Sequence, residues 1–104
     1  MPELVYVAGP YSADTSWGIK KNILEAEKYS LLLLKKGYYV ITPHKNTAGY
    51  EAYPEWDQEF WYGLSLEILK RCDAIAMIPG WEGSRGSTIE HERALEWGKK
   101  VIYL

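Results

Sequence analysis

The sequence predicts a single α/β domain, 1–104, with a four-stranded parallel sheet and helices on both faces, and three observations carry the prediction. Four short apolar runs, at 4–9, 38–42, 73–78 and 100–104, are bounded by Gly, Pro or charged residues and read as strands. Between them lie three crossovers, each with 10–20 residues of helical pattern, which parallel neighbours need and hairpins do not. The chain has 104 residues and 47% hydrophobic content, enough for one core and too little for two.

Taken in order, "LVYVAG" (4–9) is a β-branched apolar run stopped by Gly-Pro, a buried strand. "YSADTSWG" follows, with Thr15 or Ser16 as a helix N-cap. From Ile19 to Lys36, the helical stripe is Ile19, Ile23, Ala26, Ser30, Leu33 and Leu34, and Gly37 stands where a left-handed residue ends such a helix. "YYVIT" (38–42) is the second strand, closed by Pro43, and "PHKNTAGYEAY" reads as a loop. Pro54 fits the first turn of a second helix that carries Trp56, Phe60, Leu64 and Ile68 on one stripe and runs to about Arg71. "DAIAMI" (73–78) is the third strand. After the glycine-rich "PGWEGSRGSTIE" (79–90), a third helix is expected from about Ser87 to Trp97, stopped by Gly98, and "KVIYL" is the last strand.

The β-α-β-α-β-α-β order implies right-handed crossovers, hence a flavodoxin-like or Rossmann-like arrangement. In such sheets ligands bind beyond the carboxyl ends of the strands, where strand order reverses. The segments that land there are 8–16, 42–54 and 79–90.

Composition excludes several classes of function. A net charge of −2 and a pI near 5.7 lack the basic excess of a protein that binds nucleic acid polymers. The longest apolar block, "LLLL" at 31–34, sits among Lys28, Lys35 and Lys36 and is far short of a membrane span. The start, "MPELVYVAGP", has neither the basic region nor the apolar stretch of a signal peptide. One cysteine, Cys72, allows no internal disulfide, so a reducing cytoplasm is expected, and Cys72 itself reads as a small packed hydrophobe. Five Trp, nine Tyr and one Phe exceed what a small core needs, which points to a pocket for flat ligands or to an oligomer interface; a homodimer is expected.

Chemistry concentrates in the strand-end loops. "GSRGSTIE" offers backbone N–H groups and hydroxyls at a helix N-terminus, a ready anion site. The lysine of a P-loop is missing, and no GxGxxG follows the first strand. Glu90 has two readings: a carboxylate favoured by the helix dipole in a first turn, or a reactive group in company with Tyr6 and His44. Glu92 and Glu96 read as solvated charges. His44 is either a loop histidine or a pocket residue, and Trp81 either stacks on a ligand or packs. Two histidines without Cys or carboxylate spacing make no zinc site. Trp56, Phe60, Trp61 and Tyr62 read as core plus a partner-facing surface, and Asp14 and Asp57 as spare carboxylates.

"VYVAGPYS", "TPH", "CDAIAMIPGWEGSRGSTIE" and "ERALEWGKKVIYL" together resemble the nucleoside 2-deoxyribosyltransferase superfamily, in particular its short phage and bacterial branch, and also 2′-deoxynucleoside 5′-phosphate N-hydrolases. The resemblance spans nearly the whole chain and is most specific at S-x-G-x-x-x-E, Ser84, Gly86 and Glu90. It implies Glu90 as nucleophile and Tyr6 as the residue that positions it. Ser84 and Gly86 would hold the sugar 5′ end or a 5′-phosphate, and Gly9 would line the same pocket; Ser87, Tyr11, His44 and Trp81 are further substrate-binding candidates from the strand-end loops. Where such proteins carry an aspartate against the base, this chain has Ser65, which can hydrogen-bond but donates a proton poorly. Such proteins also continue past the last strand to help complete a neighbouring subunit's site; with Leu104 last here, that contribution is expected from elsewhere.

The expectation is cleavage of the N-glycosidic bond of a nucleoside or nucleoside 5′-monophosphate, by water or by a second base as acceptor, with no metal or redox cofactor. The alternative is a module that binds such a ligand without turnover. A flavin-carrying domain rests on fold alone.

Overall fold

The computed structural model describes residues 2–104, and Met1 lies outside them. Four parallel strands, β1 (Leu4–Ala8), β2 (Tyr39–Ile41), β3 (Ala74–Met77) and β4 (Lys100–Tyr103), form one sheet in the order β2-β1-β3-β4. The predicted fold class is the observed one. Registers pair Tyr6 with Ile41 on one side and with Ile75 on the other, so β1 and β3 are the central strands. Both are buried along nearly their whole length, which explains their unbroken apolar runs.

The sheet separates two packed layers. On one face Val5, Val7, Ala74, Ala76 and Ile78 meet Ala26 and Leu33 of α1 (Ser16–Lys35). On the other, Tyr6, Ala8, Ile75 and Met77 meet Leu69 of α3 (Gln58–Lys70) and Ala94 of α4 (Arg85–Glu96), with Cys72 buried beside them as expected. Chain reversal between β1→α1→β2 and β3→α4→β4 therefore falls between β1 and β3, and their carboxyl ends open the crevice.

Local signals set most boundaries. Thr15 is the N-cap of α1, its hydroxyl accepting from the Gly18 N–H at 3.0 Å. At the other end Gly37 has φ +96°, a conformation that residues with a Cβ rarely adopt. Within α1, Ser30 is buried without cost because its hydroxyl donates to the Ala26 carbonyl and accepts from Thr42, both at 2.7 Å.

Four expectations need correction. Pro54 does not open the second helix: α3 starts at Gln58, because Asp57 caps it through the Phe60 N–H at 2.9 Å. The proposed stripe on that helix is accordingly half wrong, since Trp56 and Phe60 are exposed while Leu69 is buried. Leu34 is exposed as well: a run of four leucines winds around a helix, and only Leu33 faces the core. Finally, 43–53 is not all loop, as Pro43–Asn46 forms a short helix, α2, and Tyr50–Ala52 a 3₁₀ turn. Among the described residues no helix is long and apolar enough to cross a membrane.

Candidate functional site

A cavity of about 540 Å³ opens at the carboxyl ends of β1 and β3, within the usual range for small-molecule sites. Its floor is made by Tyr6 and Glu90. Tyr6 is the middle residue of β1, fully buried, and its ring rises from the sheet face that α3 and α4 cover. Its hydroxyl donates a short hydrogen bond to Glu90 Oε2. Two residues 84 positions apart are thus joined by the fold, at the place where the sequence paired them.

The reason Glu90 stands there differs from the one expected. Ser84, not Ser87, begins α4: its hydroxyl accepts from the Ser87 N–H at 3.3 Å and its carbonyl from the Thr88 N–H at 2.9 Å. Glu90 is therefore the sixth residue of the helix, in its second turn, beyond the reach of the N-terminal dipole. Burial wins instead and raises the Glu90 carboxyl from 4.5 to about 7, although the Tyr6 hydrogen bond pulls the other way. Burial, then the Glu90 charge and hydrogen bond, hold the Tyr6 hydroxyl well above its usual pKa, so it stays a donor. The helix dipole is therefore not what sets the charge of this carboxylate.

Most of the other expected residues line the same cavity: Gly9, Tyr11, His44, Ser65, Ser84, Gly86 and Ser87. Gly9 is required by close approach, since a Cβ there would meet Ile78 Cδ1 at 2.7 Å. His44, the second residue of α2, is buried and tied to the first loop through Nε2, 3.0 Å from the Gly9 carbonyl and 3.2 Å from that of Pro10. Those carbonyls assign the proton to Nε2, and burial lowers the pKa, which keeps the ring neutral. His44 thus fastens the first loop to α2. Ser87 is buried with its hydroxyl unpartnered among the described residues. Ser84 Oγ accepts in the helix cap, and its O–H keeps its capacity to donate.

Trp81 is the expected residue that the site does not contain. It stacks on His91, ring centroids 4.4 Å apart, with Tyr103 beyond, and it does not line the cavity. Those partners come from α4 and β4, where sequence spacing gives no hint of the contact. Asp14 also lies outside the cavity and Asp57 is committed to its cap. Three kinds of residue escaped sequence reasoning. Glu51 lines the cavity and accepts from the Tyr11 hydroxyl at 2.9 and 3.0 Å. Arg85, beside Ser84 and Gly86, is the one Lys or Arg of the lining among the described residues. Trp56, Trp61 and Tyr62 form an aromatic wall, signalled only by the excess of aromatic residues. Among the described residues no three His, Cys, Asp or Glu side chains gather as a metal site would need.

One cavity lining thus brings together a carboxylate that changes charge near neutrality, a helix N-terminus with hydroxyls and an arginine, a second carboxylate and an aromatic wall. No curated protein matches the chain. A family model, described as a domain of unknown function, matches residues 3–103, nearly the entire length. The chain belongs to this family, DUF4406.

Proposed function

We propose that the protein cleaves the N-glycosidic bond of a nucleoside or nucleoside 5′-monophosphate, with Glu90 as nucleophile. The observation that carries this reading is the pairing of Tyr6 and Glu90 on the floor of the crevice between β1 and β3. The resemblance of the S-x-G-x-x-x-E segment to the nucleoside 2-deoxyribosyltransferase superfamily supports the same assignment.

In this mechanism an ionised Glu90 oxygen attacks the anomeric carbon, the C–N bond breaks, and its electron pair leaves with the base, which takes up a proton from water. The glycosyl-enzyme ester is then opened by water or by a second base, giving net retention. Tyr6 holds the carboxylate in line and stays protonated throughout. The α4 N-terminus, with Ser87 and Arg85, receives the sugar 5′ end or a 5′-phosphate, an arrangement suited to an anion. A second reading, binding without turnover, is favoured by Ser65: beside Tyr6 the lining offers a hydroxyl where the resemblance expects an aspartate.

The test is release of free base from a panel of deoxynucleosides and their monophosphates, by wild type and by Glu90→Gln. The catalytic reading expects the variant to fold, bind ligand and release base at least about a hundredfold more slowly, roughly 2.7 kcal/mol in barrier. Equal rates in the two proteins would defeat it. Binding by both without release of base would leave the second reading standing.

A further inference from the structure

The cavity holds two tyrosine–glutamate pairs. Tyr6 and Glu90 form its floor, and the second pair joins Tyr11, expected in the pocket, to Glu51, which the sequence did not single out. Glu51 lies in the 3₁₀ turn Tyr50–Ala52. The Tyr11 hydroxyl donates to its carboxylate, 2.9 Å from Oε1 and 3.0 Å from Oε2, and itself accepts from the Gly49 N–H at 3.3 Å. The turn that carries Glu51 is thereby latched to the loop after β1. No Lys or Arg pairs with Glu51 among the described residues. A carboxylate has about four lone-pair sites, and Tyr11 occupies only part of them, so acceptor capacity is left over for a ligand.

The neighbours of Glu51 indicate what kind of ligand. Trp56 and Trp61 line the cavity too, edge to face with centroids 5.8 Å apart, and Trp61 lies 6.4 Å from the ring of Tyr50, the residue before Glu51. An aromatic wall accepts a flat ring, and a bare carboxylate beside it accepts only N–H or O–H donors. A keto oxygen in the same place would face the carboxylate with no proton between them. We infer that Tyr11, Glu51 and the tryptophan wall form a base subsite that selects nucleobases bearing an exocyclic amine over their keto counterparts. This rests on the nucleotide reading of the site and adds to it the class of base.

Ligand pairs that differ in this one group give the test. Binding of deoxycytidine and deoxyuridine 5′-monophosphates, and of deoxyadenosine and deoxyinosine 5′-monophosphates, is measured by calorimetry in the Glu90→Gln background, where turnover is slowed at least about a hundredfold. The amine-bearing member of whichever pair binds should be at least tenfold tighter, as expected for a site built to satisfy a donor. Glu51→Ala should bring the pair to within about twofold. Tyr11→Phe, which leaves the carboxylate but releases its latch, should reduce the preference without abolishing it. Melting curves of each variant confirm that the fold is kept. No preference before the Glu51 change, or an undiminished preference after it, overturns the base subsite while leaving nucleotide binding intact. Failure of all four nucleotides and of their parent nucleosides to bind overturns both.

Discussion

Replacing Glu90 by Gln should make the protein more stable, and only above a definite pH. Burial raises the Glu90 carboxyl from 4.5 to about 7, so the folded state keeps its proton across a window in which the unfolded chain has lost it. Stability depends on pH through the difference in bound protons, unfolded minus folded, and that difference is negative here. Stability therefore falls as pH rises from about 4.5 to about 7, and the full penalty is present above that. Two and a half pH units correspond to about 3 kcal/mol at 1.36 kcal/mol per unit. Glutamine carries no charge to desolvate, and its Oε1 still accepts from Tyr6. Urea denaturation of wild type and Glu90→Gln at pH 4.5 and pH 8 is the assay. Near-equal stabilities at the lower pH and a gain of about 2–3 kcal/mol for the variant at the higher are expected. A variant that is equally or less stable at pH 8 would refute the reasoning, because the carboxylate would then not be held against its own desolvation.

The same titration governs turnover. If ionised Glu90 is the nucleophile, kcat/KM should fall about tenfold per pH unit below 7 and level off above it, as followed by base release across pH 5–9. Gly9→Ala forces a Cβ against Ile78 and should cost about 1–3 kcal/mol by urea denaturation, with no pH dependence. Arg85→Ala should weaken binding of a 5′-monophosphate by tenfold or more in calorimetry and leave the parent nucleoside within about twofold, if the cavity-lining guanidinium receives the phosphate as proposed. Trp17, Leu24 and Leu31 recur every seven residues along α1, all exposed, so sedimentation at micromolar concentration should give a dimer of the 12.0 kDa chain rather than a monomer.

How much of this was legible depended on whether the signal was local. The strands read directly because burial on both faces leaves an unbroken apolar run, as in "DAIAMI", and their alternation with helices dictates the parallel sheet. From that topology the crevice followed, whereas Tyr6 as the partner of Glu90, 84 residues away, came from the family resemblance. The start of α4 was misplaced because Gly86 and Ser87 resemble loop, whereas Ser84 caps a helix that runs through both. That shift changed the physics of Glu90 from dipole stabilisation to desolvation. Pro54 misled in the opposite sense: proline marks a helix start only where a cap agrees, and the cap is Asp57. Glu51 and Trp81 were illegible for a shared reason. Their partners, Tyr11 for one and His91 with Tyr103 for the other, are set by tertiary packing between loops and elements distant in the chain.

The claim at the centre of the account is that Glu90 becomes covalently glycosylated. Wild type can be mixed with the best substrate of the panel, quenched in acid within the first turnover, digested, and the peptide containing Glu90 examined by mass spectrometry. The account predicts that peptide carrying one deoxyribosyl or deoxyribosyl-phosphate unit on Glu90, absent from Glu90→Gln and lost as water or a second base is allowed to react. Base released at full rate with Glu90 unmodified at every time point, and with inversion at the anomeric carbon, would contradict it.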